Sequence, residues 1–220
     1  MTIFEDELRN LKVQILKMGS LVEEAIARSI KSLVERNSAL AHQVLENEAR
    51  INAYDVNIDE ECIRLIALRQ PTAGDLRFVT TAMKITTDLE RMGDYAVDIC
   101  ERALELNEEP QLKPYIDIPR MAEIAEGMVH DTLQAFLEKN TALAYEVVNR
   151  DDEVDQLTVQ IFNELLFFMI KDSSTISRAI KISYIAKYLE RIADHATNVA
   201  EMVVYMIEGK MIRHIKDQEE

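Results

Sequence analysis

The sequence predicts an all-α protein: six long helices forming two tandem, pseudo-symmetric three-helix bundles. Three observations carry this. Apolar residues recur at steps of three and four nearly throughout. Only five Gly and four Pro punctuate 220 residues, which leaves few places for the chain to turn. And one phrase is written twice, LERMGDYAVDICE at 89–101 and LERIADHATNVAE at 189–201.

The elements follow in order. Leu8, Leu11, Ile15, Met18, Val22, Ile26, Ile30 and Leu33 form one apolar stripe, so the first helix runs to the Asn37-Ser38 break. Ser38 suits an N-cap, and a second helix is predicted over 38–69. QPTAGDLR (70–77), with Pro71 and Gly74 as breakers, precedes a third helix over 75–107. NEEPQLKPYIDIPR holds three of the four prolines and reads as a linker. The pattern then restarts, with helices over 118–139, 141–171 and 174–208 and Gly209 as the last stop. VERNSALAHQV (34–44) lies on LEKNTALAYEV (137–147), and the shorter KDSST takes the place of QPTAGDLR. Helices keep register while a loop absorbs the deletion, as a structural repeat requires. The division is 1–107 for the first repeat, 108–117 for the linker and 118–220 for the second, and the apolar faces left over are free to pack together or to dimerise.

Composition narrows the function. The net charge is −15, with acidity spread over both halves, which disfavours nucleic acid and anionic membrane surfaces as partners. The N-terminus has neither the basic nor the apolar region of a signal peptide. The longest apolar run, LLFFMI at 165–170, is too short to span a bilayer and reads as core, so no transmembrane segment is expected. Cys62 and Cys100 lie among apolar residues without a CxxC spacing, which fits buried reduced thiols and a cytosolic address. No phosphate-cradling glycine motif occurs, and no nucleophile–base grouping is suggested.

The repeated phrase carries the candidate site. Glu90, Asp94, Asp98 and Glu101 share one helix face, as do Glu190, Asp194, Asn198 and Glu201. Leu89, Met92, Ala96 and Ile99 form the neighbouring core stripe, and Gly93 and Ala193 permit a close approach. Carboxylates one turn apart repel, and Arg91 and Arg191 point about 100° away, so they compensate poorly. Folding each hairpin about its turn brings Glu48 and Asn52 beside the first stripe, and Asp151, Asp155 and Asp152 beside the second. Oxygen-only clusters suit a divalent or trivalent cation, with iron, manganese or magnesium ahead of zinc, which prefers His. The neutral Asn52 makes the second site the stronger on this reading. The alternatives are solvated acidic faces on a metal-free scaffold, or a di-iron carboxylate enzyme. The latter is disfavoured because no Glu is followed by His at i+3. His195, matched by Tyr95, reads as a boundary residue rather than a ligand.

LERMGDYAVDI, YLERIADHATNVAE and LALRQPTAGDLR (66–77) resemble the paired signature of the PhoU family, and the resemblance covers essentially the whole chain in order. It implies two similar three-helix bundles, a cytoplasmic location and frequent homodimers. It implies a non-enzymatic negative regulator linking the phosphate-specific ABC transporter to a sensor histidine kinase at the membrane. It also implies a metal-binding E/DxxxD motif in each repeat, falling here on Glu90 and Asp94 and on Glu190 and Asp194.

Overall fold

The computed structural model describes residues 2–210 and Ile212. The remaining positions of the predicted repeats, 1, 211 and 213–220, lie outside the described residues. Among the described residues there are six α-helices: α1 (Ile3–Val34), α2 (Ser38–Arg69), α3 (Ala73–Asn107), α4 (Asp117–Glu138), α5 (Thr141–Lys171) and α6 (Ile176–Glu208). A 3₁₀ turn, Ser173–Thr175, precedes α6, and no strand occurs among the described residues.

Local chemistry sets the ends. Thr2 and Glu5 form a reciprocal capping box at the start of α1. Asn140 caps α5 by accepting from the Leu143 N–H. Gly209 ends α6 in the left-handed conformation, φ 71°. Three details differ from the sequence reading. Asn37 occupies the N-cap of α2, and Ser38 is the first helical residue. Gly74 sits inside the first turn of α3 instead of before it, and Pro119, within both the predicted fourth helix and the stretch read as a linker, belongs to the first turn of α4. First-turn N–H groups have no intrahelical acceptor, so a proline there forfeits nothing, and the break before α3 falls instead at Gln70, in the left-handed region at φ 46°.

α1, α2 and α3 pack on one another, as do α4, α5 and α6. The two sets then join through α3 against α6 and α1 against α4. Apolar faces left open by each set of three therefore close on each other within one chain, giving a continuous core. α3 and α6 run antiparallel: Asp88 meets His195, and Tyr95 stacks on Tyr188 with ring centroids 5.9 Å apart. α1 and α4 approach so closely that a Cβ at Gly19 would run into Leu133. Phe136 is fully buried at this junction, stacked 5.6 Å from Phe78 with the Lys12 ammonium 5.6 Å over its ring. Cys62 and Cys100 are buried free thiols, and burial pushes both up to about 12.

The halves differ where α2 and α5 end. α1 has 32 residues and α4 only 22. Glu7 near the start of α1 therefore reaches the end of α2 and accepts from Arg69 at 2.8 Å and Arg64 at 2.9 Å. These two guanidiniums hold Glu7 down at about 2. α4 starts too late to cover the end of α5. The LLFFMI run, read from sequence as core, is consequently split: Leu165 is buried, while Phe167 is 64% and Ile170 78% exposed.

This contrast is measurable. Phe136→Ala is expected to cost about 3–5 kcal/mol, as for a large aromatic removed from a packed core. Phe167→Ala is expected to change stability by less than about 0.5 kcal/mol. Urea unfolding of the two variants checks it, and equal losses would show that the junction is not packed as described.

Candidate functional site

The repeated phrase faces three neighbours at once. Leu89, Met92, Ala96 and Ile99 are fully buried, and so are Leu189, Ile192, Ala196 and Val199. Gly93 packs against the Ile51 side chain of α2, 3.1 Å from where a Cβ would stand. The acidic positions turn to the rim of their own hairpin, where Glu90, Asp94, Asp98, Glu190 and Asp194 are all partly buried.

In the first half the structure gathers Glu48, Asp55, Glu90, Asp94 and Asp98. Burial, then the Asp94 charge, raise Glu90 above the ordinary carboxylate range; Arg91 opposes this, and Asp55 and Glu48 add to it. Asp98 is raised by burial and by Glu101, Asp94 and Glu48. Asp55 is raised by burial and Asp59. Asp55 was missed in the sequence, where the turn geometry pointed to Asn52, which is exposed. The signal lay in the spacing from Glu48: seven residues is two turns, so Glu48 and Asp55 share a face.

In the second half Asp155 is raised by burial, Glu190 and Asp194, with Asp152 adding to it and Lys187 opposing. Asp194 is raised by burial and Glu190 against Arg191, Lys187 and His195. Asp151 lies one turn before Asp155 on α5, and Glu201 is partly buried two turns beyond Asp194 on α6. Asn198 joins the seam between halves: its amide donates to Asp88 at 3.5 Å, and His195 Nδ1 lies 2.7 Å from the same carboxylate oxygen.

The basic residues correct the sequence reading. Arg91 reaches Asp94 at 3.1 Å and Glu90 at 3.5 Å, and Arg191 reaches Asp194 at 3.3 Å. A long guanidinium stem spans the offset at i+3 that a helical wheel leaves open. Lys187 also pairs with Glu190, and position 87 in the first half is Thr. Among the described residues, no three His, Cys, Asp or Glu side chains converge as an ion's ligands in this arrangement. The donor type alone suits a hard cation: the side chains are oxygen-only and lie on facing helices, and they are raised by burial and then by mutual repulsion that a bound charge would relieve.

The fold and site define a two-repeat all-α bundle with a carboxylate-lined hairpin in each repeat. The chain belongs to the PhoU family: the family model of the PhoU domain matches residues 15–103 and 118–203. The phosphate-specific transport system accessory protein PhoU homolog of Aquifex aeolicus is 45% identical over 208 residues, 94% of each chain. The crystal structure of PhoU from Pseudomonas aeruginosa superposes with a TM-score of 0.92 at 38% identity, covering 94% of this chain and 100% of that one. The phosphate transport system regulatory protein PhoU from Streptococcus pneumoniae gives 0.88 at 30% identity, covering 95% and 99%.

The raised carboxyls set a pH dependence. Folding raises Asp194, so the folded state keeps this proton to higher pH than the unfolded chain, whose value is 3.8. The charged form thus lowers stability at neutral pH, and the cost is relieved as pH falls through the raised value. Asp194→Asn is expected to melt above the parent at pH 7 without added metal. The difference should close on acidification below the ordinary carboxylate range. Melting curves across that span check both the sign and the window.

Proposed function

We propose that this chain is a cytoplasmic accessory protein and negative regulator of phosphate uptake, a non-enzymatic adaptor between the phosphate-specific ABC transporter and a sensor histidine kinase. Family membership and the names of its relatives support the transporter as partner. No helix among the described residues is long and apolar enough to cross a membrane. The observation that carries the reading is the apolar face at the uncovered end of α5 and α6. Val159, Phe162, Phe167, Ile170, Ile176 and Tyr184 are all at least 40% exposed there. Val159, Phe162 and Tyr184 line one hollow, and a concentration of exposed apolar side chains of this kind marks an interaction surface. The first half lacks the aromatic side chains: α2 exposes Val56, Ile63 and Leu68, but the positions matching Phe162 and Phe167 are Asp59 and Arg64.

The transporter docks on this face. Capture of the protein by membrane vesicles carrying the phosphate-specific transporter is expected to fall by about tenfold or more for Phe167→Ser/Ile170→Ser, the loss typical of a buried interface anchor. Both side chains are solvent-exposed, so the variant keeps its fold, which circular dichroism confirms. Undiminished capture overturns this docking face.

The carboxylate stripes hold cations. Glu48, Asp55, Glu90, Asp94 and Asp98 are the donors of the first half; Asp151, Asp152, Asp155, Glu190 and Asp194 are those of the second. The ion supplies charge that the stripes lack, joining α2 to α3 and α5 to α6. Asp55 takes the place the sequence reading gave to Asn52, and Lys187 competes in the second half, so the first stripe is the stronger. At free Mn²⁺, Fe²⁺ or Mg²⁺ near 100 times the dissociation constant, each site adds about 2.7 kcal/mol. Asp94→Asn is expected to remove more of the metal-dependent rise in melting temperature than Asp194→Asn. No rise in the parent returns the stripes to solvated acidic faces.

A further inference from the structure

A cavity of about 480 Å³ opens at the end of the molecule where α3 begins and α6 finishes. Its lining comes from both halves: Arg9 and Lys12 of α1, Arg77 and Phe78 of α3, Lys139 just past α4, and Ile207 near the end of α6. Four cations and one carboxylate, Asp75, line it, in a chain whose net charge is −15; Arg9 also pairs with Asp6 at 2.9 Å, and Lys12 donates to the Leu137 carbonyl. Asp75 lies 3.4 Å from the Thr72 hydroxyl at the rim. The Arg77 Nε is buried with no hydrogen-bond partner among the described residues. Lys12 is held below the usual lysine range by burial and by the Lys139 ammonium. The start of α3 has no side-chain cap, so its first-turn N–H groups add positive potential at the rim. A Cβ on Gly74 would meet nothing there within 4 Å.

The opposite end of the molecule shows what such cations require. Arg36 and Lys139 are the third residues of matching segments, VERN and LEKN, and both adopt a positive φ, 53° and 56°. Arg36 donates to the carbonyls of Asn107 and Glu109, at 2.7 and 2.6 Å. Lys181 of α6 binds Glu109 at 2.8 Å and Glu105 at 3.2 Å, and Arg178 donates to the Pro110 carbonyl at 2.9 Å. The end of α3 and the linker thus supply carboxylates and carbonyls to the cations of that end. At the other end Arg9 has Asp6 and Lys12 has the Leu137 carbonyl, while the Arg77 Nε, on a side chain that lines the cavity, has no hydrogen-bond partner among the described residues.

We infer that this cavity binds a small phosphoryl-bearing anion of nucleotide size. Guanidinium and ammonium groups beside an uncapped helix start recognise phosphoryl oxygens. The volume is that of a site for an organic ligand and exceeds what a lone phosphate fills. Phe78, Met206 and Ile207 give an apolar wall for a base or similar planar moiety. The site straddles the junction between halves, so its ligand clamps α1 and α3 to α4 and α6.

Titration calorimetry of the full chain at about 0.15 M salt tests this, where free surface charges are screened beyond ~8 Å. ADP, ATP, pyrophosphate and inorganic phosphate are the probes. Nucleotides are expected to bind most tightly and inorganic phosphate least. Arg77→Gln and Lys139→Gly should each weaken nucleotide binding about tenfold or more, the loss of one charge-assisted bond. Phe78→Leu should weaken nucleotides and leave pyrophosphate unchanged. Arg120→Gln, an exposed pair with Glu153 on the far part of α4, serves as the neutral control. Unchanged melting curves establish that the variants are folded. No binding of any probe at about 1 mM, binding indifferent to Arg77 and Lys139, or inorganic phosphate binding as tightly as nucleotide would each overturn the inference.

Discussion

Everything in this molecule hangs on the antiparallel contact of α3 with α6. Asp88 receives His195 and Asn198 from across the seam, and Tyr188 stacks on Tyr95 at the symmetry-related place. Small side chains and core residues of the same two helices are fully buried around these groups. Because both helices occupy equivalent positions, each must satisfy a hairpin partner, a core and its own counterpart simultaneously. Ordinary apolar helices answer to one stripe; these answer to three. That demand explains why their sequences stay alike while α2 and α5 have drifted apart.

Within that frame, the two halves depart from each other mainly through the length of their first helix. A full-length α1 reaches Arg64 and Arg69 with Glu7 and seals its hairpin with charge. A short α4 leaves the linker to do part of the covering, where Lys113, nearly buried, pairs with Glu164. Beyond Glu164 only the inner face of α5 is covered, and on its outer face aromatic side chains stand where the first half has ions. Symmetry thus supplies the scaffold, and its local breakage supplies an aromatic surface that the first half lacks.

The helices were legible in the sequence because rarity of Gly and Pro makes each one informative, and α2 and α5 begin and end where the pattern stops. What escaped was geometry that no linear pattern encodes. Asp55 shares a face with Glu48 two turns away, but its approach to Glu90 depends on how α2 tilts across α3. Arg91 closes on Asp94 because its stem bends, which a helical wheel of Cβ directions omits. LLFFMI has the composition of core, yet its exposure follows from where a different helix begins, about fifty residues upstream. Burial is decided by neighbours, so composition alone misplaces it. Likewise the basic cavity assembles Arg9, Lys12, Arg77 and Lys139 from three separate segments, and no window of the sequence shows them together.

The two thiols give this architecture an internal clock. Cys62 and Cys100 both belong to the first half, on α2 and α3, fully shielded and held far from the thiolate state. A thiol reagent reaches them only when the α2–α3 hairpin swings away from its neighbours. The second half contains no cysteine at all. The rate of alkylation therefore reads excursions of one repeat against a silent twin, and it does so in the native chain, without a label having to be installed.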